Sequence, residues 1–150
     1  MARPTSLRTF LWFPDRLEDA LDFYRETFRD VVVHSEFRQE LDQPLFTADF
    51  SIYGHEFAAM NWAGSEGFTN AVSFSLNIDG QAETDRIWDA LTKDGTPLNC
   101  GWCRDKFGIT WQVSPIQMKD WLEHPDAQVR DYAWQAMGGM TRIIIDELHR

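Results

Sequence analysis

The chain has 150 residues, the length of one domain, and can bury a hydrophobic core without metals or disulfides as staples. Apolar residues make up 43% and charged residues 25%, which argues against a disordered, coiled-coil or collagenous chain. Lys plus Arg is 14 and Asp plus Glu is 24, so the formal net charge of -10 disfavours nucleic acid and an anionic membrane surface as partners.

In chain order, Thr9 to Phe13 is a short β-branched and aromatic run that predicts a buried strand. It stops at Pro14-Asp15, too short for a signal-peptide core, and no small-residue cleavage site follows. No apolar run approaches the roughly 18 residues of a membrane span. Asp15 offers an N-cap with Glu18 three residues on, as in a capping box. Leu17, Ala20, Leu21, Tyr24 and Phe28 then mark one face of a helix. Val31 to Val33 predicts a strand, and Phe46, Ala48, Phe50 and Ile52 alternate as in a half-buried one. Tyr53-Gly54-His55-Glu56 predicts a hairpin turn into Phe57 to Trp62.

The second half repeats this plan. Ser73, Ser75 and Asn77 alternate with Phe74, Leu76 and Ile78. Asp79 opens a helix carrying Ile87, Trp88 and Leu91, closed by Lys93 and Gly95. Pro97 to Cys103 is strand-like, and Ile109, Trp111 and Val113 alternate with Thr110, Gln112 and Ser114. At a fixed offset of 64 residues Phe10 meets Phe74, Trp12 meets Leu76, Asp15 meets Asp79 and Tyr24 meets Trp88, which points to a duplication. In the tail, Met118 to Leu122 predicts a helical turn. Pro125 starts a helix ended by Gly138-Gly139, Arg142 to Ile145 reads as a last strand, and Asp146 to Arg150 as a final helical turn.

These residues carry a family resemblance. Thr9 to Phe13 followed by Ala20 to Tyr24 resembles the opening of vicinal oxygen chelate proteins. Cys100-Gly101-Trp102, Asp105-Lys106-Phe107-Gly108 and Trp111-Gln112-Val113 resemble the PhnB-like branch, also called 3-demethylubiquinone-9 3-methyltransferase-like. The superfamily includes glyoxalases, extradiol dioxygenases, fosfomycin-modifying enzymes and antibiotic-sequestering proteins. The resemblance implies an α+β fold of paired βαβββ modules forming a cup-shaped mixed sheet, with a homodimer as the usual assembly. The modules are expected at about 7–64 and 70–115, with a helical tail at 116–150, all within one domain.

Enzymatic members of that superfamily hold a divalent ion with His, Gln or Glu at the ends of facing strands. The resemblance puts those positions at Arg8 or Thr9, Met60 or Asn61, within Asn70 to Ser73, and at Gln112. None is His or Glu, and Gln112 alone would not hold a metal, so a metal-free cup without a cofactor is expected. His34, His55, His124 and His149 read as solvated. Cys100-Gly101-Trp102-Cys103 is a lone CxxC followed by charge and a strand, not by the helix N-terminus of a thiol oxidoreductase. Two cysteines in this setting suggest a reducing compartment, and a cytoplasmic protein is expected. Trp12, Trp88 and Trp111 read as core, whereas Trp102 and Trp62 lie at strand ends where a ring can floor a pocket.

The function expected is small-molecule binding. Leu11, Phe68, Cys100 and Trp102 would form walls. Thr9, Asn61, Ser73, Ser75 and Gln112 would orient the ligand by hydrogen bonds. Whether chemistry follows binding is open. The alternatives are a metal-dependent lyase, isomerase or dioxygenase, and a structural dimer whose cup is filled by side chains. Methyl transfer is not expected, because the first strand–helix turn, Pro14-Asp15-Arg16, lacks the glycines of a dinucleotide-type cofactor site.

Overall fold

The computed structural model describes residues 5–150. It separates into two compact units, one ending at Gly67 and the other running from Phe68 to Arg150. The first contains β1 (Thr9–Phe13), α1 (Leu17–Thr27), β2 (Val31–Phe37), β3 (Thr47–Ile52) and β4 (His55–Asn61). The second contains β5 (Phe74–Ile78), α2 (Gln81–Thr92), β6 (Thr96–Pro97), β7 (Trp102–Arg104) and β8 (Thr110–Pro115). The tail adds α3 (Met118–Leu122), α4 (Ala127–Gly138) and a 3-10 turn, Ile145–Glu147. Each unit is a βαβββ module with a four-stranded mixed sheet, ordered β1-β4-β3-β2 or β5-β8-β7-β6. In each the first and last strands run parallel and the other pairs antiparallel. The expected α+β class and the duplication are both present.

In the first module the buried sheet face carries Leu11 and Phe13 from β1, Phe57 and Ala59 from β4, and Ala48, Phe50 and Ile52 from β3. The helix supplies Leu17, Ala20, Leu21 and Tyr24, spaced three and four apart and all buried. Two positive-φ residues, Tyr53 (φ 48°) and Gly54 (φ 78°), close the tight hairpin between β3 and β4. Asp15 does not cap α1. The position before the helix is Arg16, in a left-handed conformation with no side-chain cap. The Leu17 N–H is satisfied from β4, where Asn61 Oδ1 accepts it at 3.0 Å.

In the second module Phe74, Leu76 and Ile78 of β5 share a face with Trp111 and Val113 of β8 and with Cys103 of β7. Thr84, Ile87, Trp88 and Leu91 of α2 are buried as well. Gly80, not Asp79, precedes α2, and Asp79 Oδ1 accepts from Gln117 Nε2 at 2.7 Å.

Three expectations in this half are corrected. The run Pro97 to Cys103 is two strands split by a turn, with Cys100 (φ 59°) and Gly101 (φ 80°) left-handed. Helix α4 begins at Ala127, because Asp126 rather than Pro125 caps it by accepting the Gln128 N–H at 2.8 Å. Arg142 to Ile145 is not a strand. Its backbone bonds go to a side chain instead of a ladder: Gln81 donates to the Ile143 carbonyl at 2.9 Å and accepts from Ile145 N–H at 2.8 Å. Met140, Ile143 and Leu148 then bury themselves against Met118, Trp121, Ala136 and Met137. No helix among the described residues is long and apolar enough to cross a membrane.

Candidate functional site

The face of the second sheet opposite Cys103 and Trp111 is polar. Strand alternation places Ser75 and Asn77 of β5, Trp102 and Arg104 of β7, and Thr110, Gln112 and Ser114 of β8 on it. Gln112 Nε2 donates to Ser73 Oγ at 2.9 Å, just before β5. Asn70 Oδ1 accepts from Thr110 Oγ1 at 2.7 Å and from Arg104 Nη2 at 3.1 Å, so the segment leading into β5 ties the far end of the face together. Phe68 lies in the same segment, near Gly108. Among the described residues the side chains of Ser75, Asn77 and Ser114, and Gln112 Oε1, hold no hydrogen-bond partner. These groups can meet a ligand without first breaking an internal bond.

The structure therefore brings together Phe68, Ser73, Ser75, Trp102 and Gln112 of the residues singled out from sequence. It adds Asn77, Arg104, Thr110 and Ser114, with Asn70 of the connection before β5 bonded to two of them. The signal for Arg104 was present in the chain, two residues beyond Trp102 and hence on the same side of the strand. Cys100 instead occupies the left-handed turn, where its N–H donates to the Met140 carbonyl at 2.8 Å.

The first module arranges its candidates differently. Leu11, only 7% exposed, belongs to the buried face. Thr9 pairs in register with Phe57 on that same side, and its Oγ1 lies 3.0 Å from His55 Nε2. Asn61 is committed at both ends of its amide, to Leu17 N–H and, at 2.7 Å, to the Leu45 carbonyl. The open face instead carries Phe10 and Trp12, 51% and 48% exposed, so Trp12 is not a core residue. Trp88 and Trp111 are buried as expected.

The histidines have structural partners. His34 Nε2 pairs with Glu56 Oε2 at 3.2 Å, and His124 Nδ1 accepts the Asp126 N–H at 3.1 Å. The His149 ring stacks on Trp121 at 4.2 Å. The histidines are thus engaged, not merely solvated. No group of three or more His, Cys, Asp or Glu that could hold a metal occurs among the described residues. Of the residues at the positions where the superfamily's ion would sit, Asn61 in the first module has its amide used by backbone groups, and in the second module Gln112 is bonded to Ser73 and to no imidazole or carboxylate.

Cys100 and Cys103 are both free thiols, and Cys103 is fully buried. Burial, reinforced by the nearby negative charge of Asp105, pushes the Cys103 thiol up to about 12. A thiolate is the reactive form, so alkylation of native protein near pH 8 should modify Cys100 and spare Cys103. Because the folded value lies above the ordinary 9.0, the neutral thiol's contribution to stability is complete below pH 9 and fades as pH rises from 9 towards 12. Urea denaturation between pH 8 and 10.5 should show wild type losing stability faster than Cys103→Ala. Parallel curves would contradict this.

Two βαβββ units in tandem, each with a helix-covered face and an open face, define a protein of the vicinal oxygen chelate type. Residues 5–114 match the family described as 3-demethylubiquinone-9 3-methyltransferase. The chain belongs to that family, the PhnB-like branch. It is similar to a putative 3-demethylubiquinone-9 3-methyltransferase, PhnB protein, from Bacillus cereus. The identity is 26% over 74% of this chain and 99% of that one, with a TM-score of 0.66. A Pseudomonas aeruginosa protein shares the fold at 21% identity, covering 71% of this chain and 95% of its own, with a TM-score of 0.56. An Arabidopsis thaliana gene product does so at 20% identity, covering 73% and 97%, with a TM-score of 0.51. No curated protein matches the chain.

Proposed function

We propose that this protein binds a small organic molecule on the open face of its second module, without a metal ion, and that it works as a cytoplasmic homodimer. The observation that carries the reading is the set of uncommitted polar groups on Ser75, Asn77, Gln112 and Ser114, beside the Trp102 ring. These groups can take up hydrogen bonds to a ligand at no internal cost, and the indole beside them offers a flat apolar contact. The reading keeps Phe68, Ser73, Ser75, Trp102 and Gln112 as ligand contacts. It gives Leu11 and Asn61 to packing and helix capping, Thr9 to its contact with His55, and Cys100 to the turn.

The family's name speaks of methyl transfer, but the reading includes none. A doubly wound methyltransferase holds its cofactor at a glycine-rich turn on a parallel sheet. Here each sheet has a single parallel pair, and Pro14-Asp15-Arg16 joins β1 to α1. No carboxylate or imidazole stands on the open strand faces of the second module to act as a general base.

Native mass spectrometry and elemental analysis of protein purified without chelator or affinity metal test the proposal. The expected result is the chain carrying an organic molecule and no stoichiometric transition metal. One tightly held divalent ion per chain would overturn the metal-free part. Failure of both mass spectrometry and a thermal-shift screen to find any bound compound would overturn the binding part.

A further inference from the structure

The chain carries ten more acidic than basic side chains, and most of its arginines meet a carboxylate. Arg8 pairs with Asp49, Arg16 with Asp19, Arg25 with Asp22, Arg86 with Glu83 and Arg142 with Asp85. Arg104 does not. Among the described residues its one hydrogen bond is from Nη2 to Asn70 Oδ1, a neutral acceptor that is shared with Thr110. The nearest acid in sequence, Asp105, lies on the opposite side of the strand and is buried. Its oxygens accept the N–H groups of Phe107 at 2.9 Å and Ile109 at 3.1 Å, and Trp111 Nε1–H at 2.9 Å. Every other open-face strand residue of the second module is neutral: Ser75, Asn77, Thr96, Trp102, Thr110, Gln112 and Ser114.

A guanidinium held on a neutral polar face, with no carboxylate partner among the described residues, is chemically suited to receive an anion. Its planar fork matches a carboxylate, which it can hold through two parallel hydrogen bonds. Trp102 stands two residues away on the same side, about 7 Å along the strand. Its indole makes no ring contact and no side-chain hydrogen bond among the described residues. That spacing suits a molecule with a flat body over the indole and a charged group at one end.

We propose that the ligand of this face is a small aromatic carboxylate, held at its carboxylate by Arg104 and at its ring by Trp102. This rests on the reading of the face as a ligand site and names the ligand class. Asn70 is a positioning residue that aims the guanidinium.

Calorimetric titration of the full chain at one ionic strength, with benzoate and its uncharged isostere benzamide, tests the proposal. Benzoate should bind at least about tenfold more tightly than benzamide. Arg104→Gln should erase most of that difference, and a urea midpoint matching wild type reports that the variant is folded. Arg104→Lys should keep part of the preference, because the charge remains and the fork does not. Trp102→Ala should weaken both compounds alike. Equal binding of the two compounds to wild type, or an intact preference in Arg104→Gln, overturns the inference. If neither binds while mass spectrometry shows another organic molecule on the chain, the inference fails and the binding reading stands. If no compound of any kind binds, both fail.

Discussion

Replacing Asp105 with alanine should lower the unfolding free energy by about 3–5 kcal/mol, the range for stripping a buried charged acceptor from its donors. The carboxylate is 3% exposed and holds three N–H groups, two from the backbone of the turn before β8 and one from the Trp111 indole. Alanine would leave all three without their acceptor. Asp105→Asn should cost less, since its one carbonyl can still serve the Phe107 and Ile109 amides. Its NH2 would then face the Trp111 N–H, so the loss should still exceed about 1 kcal/mol. Urea denaturation of the three proteins, followed by tryptophan fluorescence, supplies the comparison. A loss below about 1 kcal/mol for the alanine variant would show that the turn is held by something else.

This gives the Asp105-Lys106-Phe107-Gly108 motif a physical meaning. The aspartate anchors the turn, and Gly108 (φ 95°) takes a conformation that a side chain would strain. These residues hold β7 and β8 in register and so place Trp102, Arg104 and Gln112 on one face. Much of what identifies the family in this segment supports the fold.

The second module's open face was legible because Ser75 and Asn77 interrupt the apolar residues of β5 and fix which side is which. β1 has no such marker. Its run Phe10-Leu11-Trp12-Phe13 is apolar throughout, so alternation alone gives no phase, and a one-residue slip exchanges the faces. The 64-residue offset supplied the wrong phase. It holds for the helices, where buried Tyr24 answers to buried Trp88. In the strands buried Leu11 answers to Leu76 and Phe13 to Ile78, one position further on. The connection from β1 to α1 has three residues and that from β5 to α2 has two, which accounts for the slip. Leu11 and Trp12 changed places for this reason. Asn61 was beyond reach for another: its role depends on a partner 44 residues away, which only the folded β4 brings to the start of α1.

Gly95→Ala should be nearly as damaging as the loss of Asp105, by steric conflict rather than lost bonds. Gly95 follows α2 and needs no positive φ, so the constraint is space. An added Cβ would collide with the Arg104 carbonyl oxygen, approach the Leu91 carbonyl oxygen to 2.5 Å and come within 3.1 Å of Asp105 Cα. All three atoms are backbone, and none can turn aside as a side chain would. The end of α2 or strand β7 must shift, at the upper end of the roughly 1–3 kcal/mol typical of overpacking, or beyond it. Gly138→Ala is the matched control. It is the last residue of α4 and a Cβ there meets nothing within 4 Å, so helix propensity should make that variant more stable, by up to about 1 kcal/mol. Denaturation curves of the two variants should therefore move in opposite directions. Since the Arg104 backbone is among the atoms pushed, Gly95→Ala should also reduce the preference for benzoate over benzamide in protein that is still folded, while Gly138→Ala leaves it intact. A Gly95→Ala protein within about 0.5 kcal/mol of wild type, the scatter of ordinary surface changes, would refute the close packing of α2 against β7.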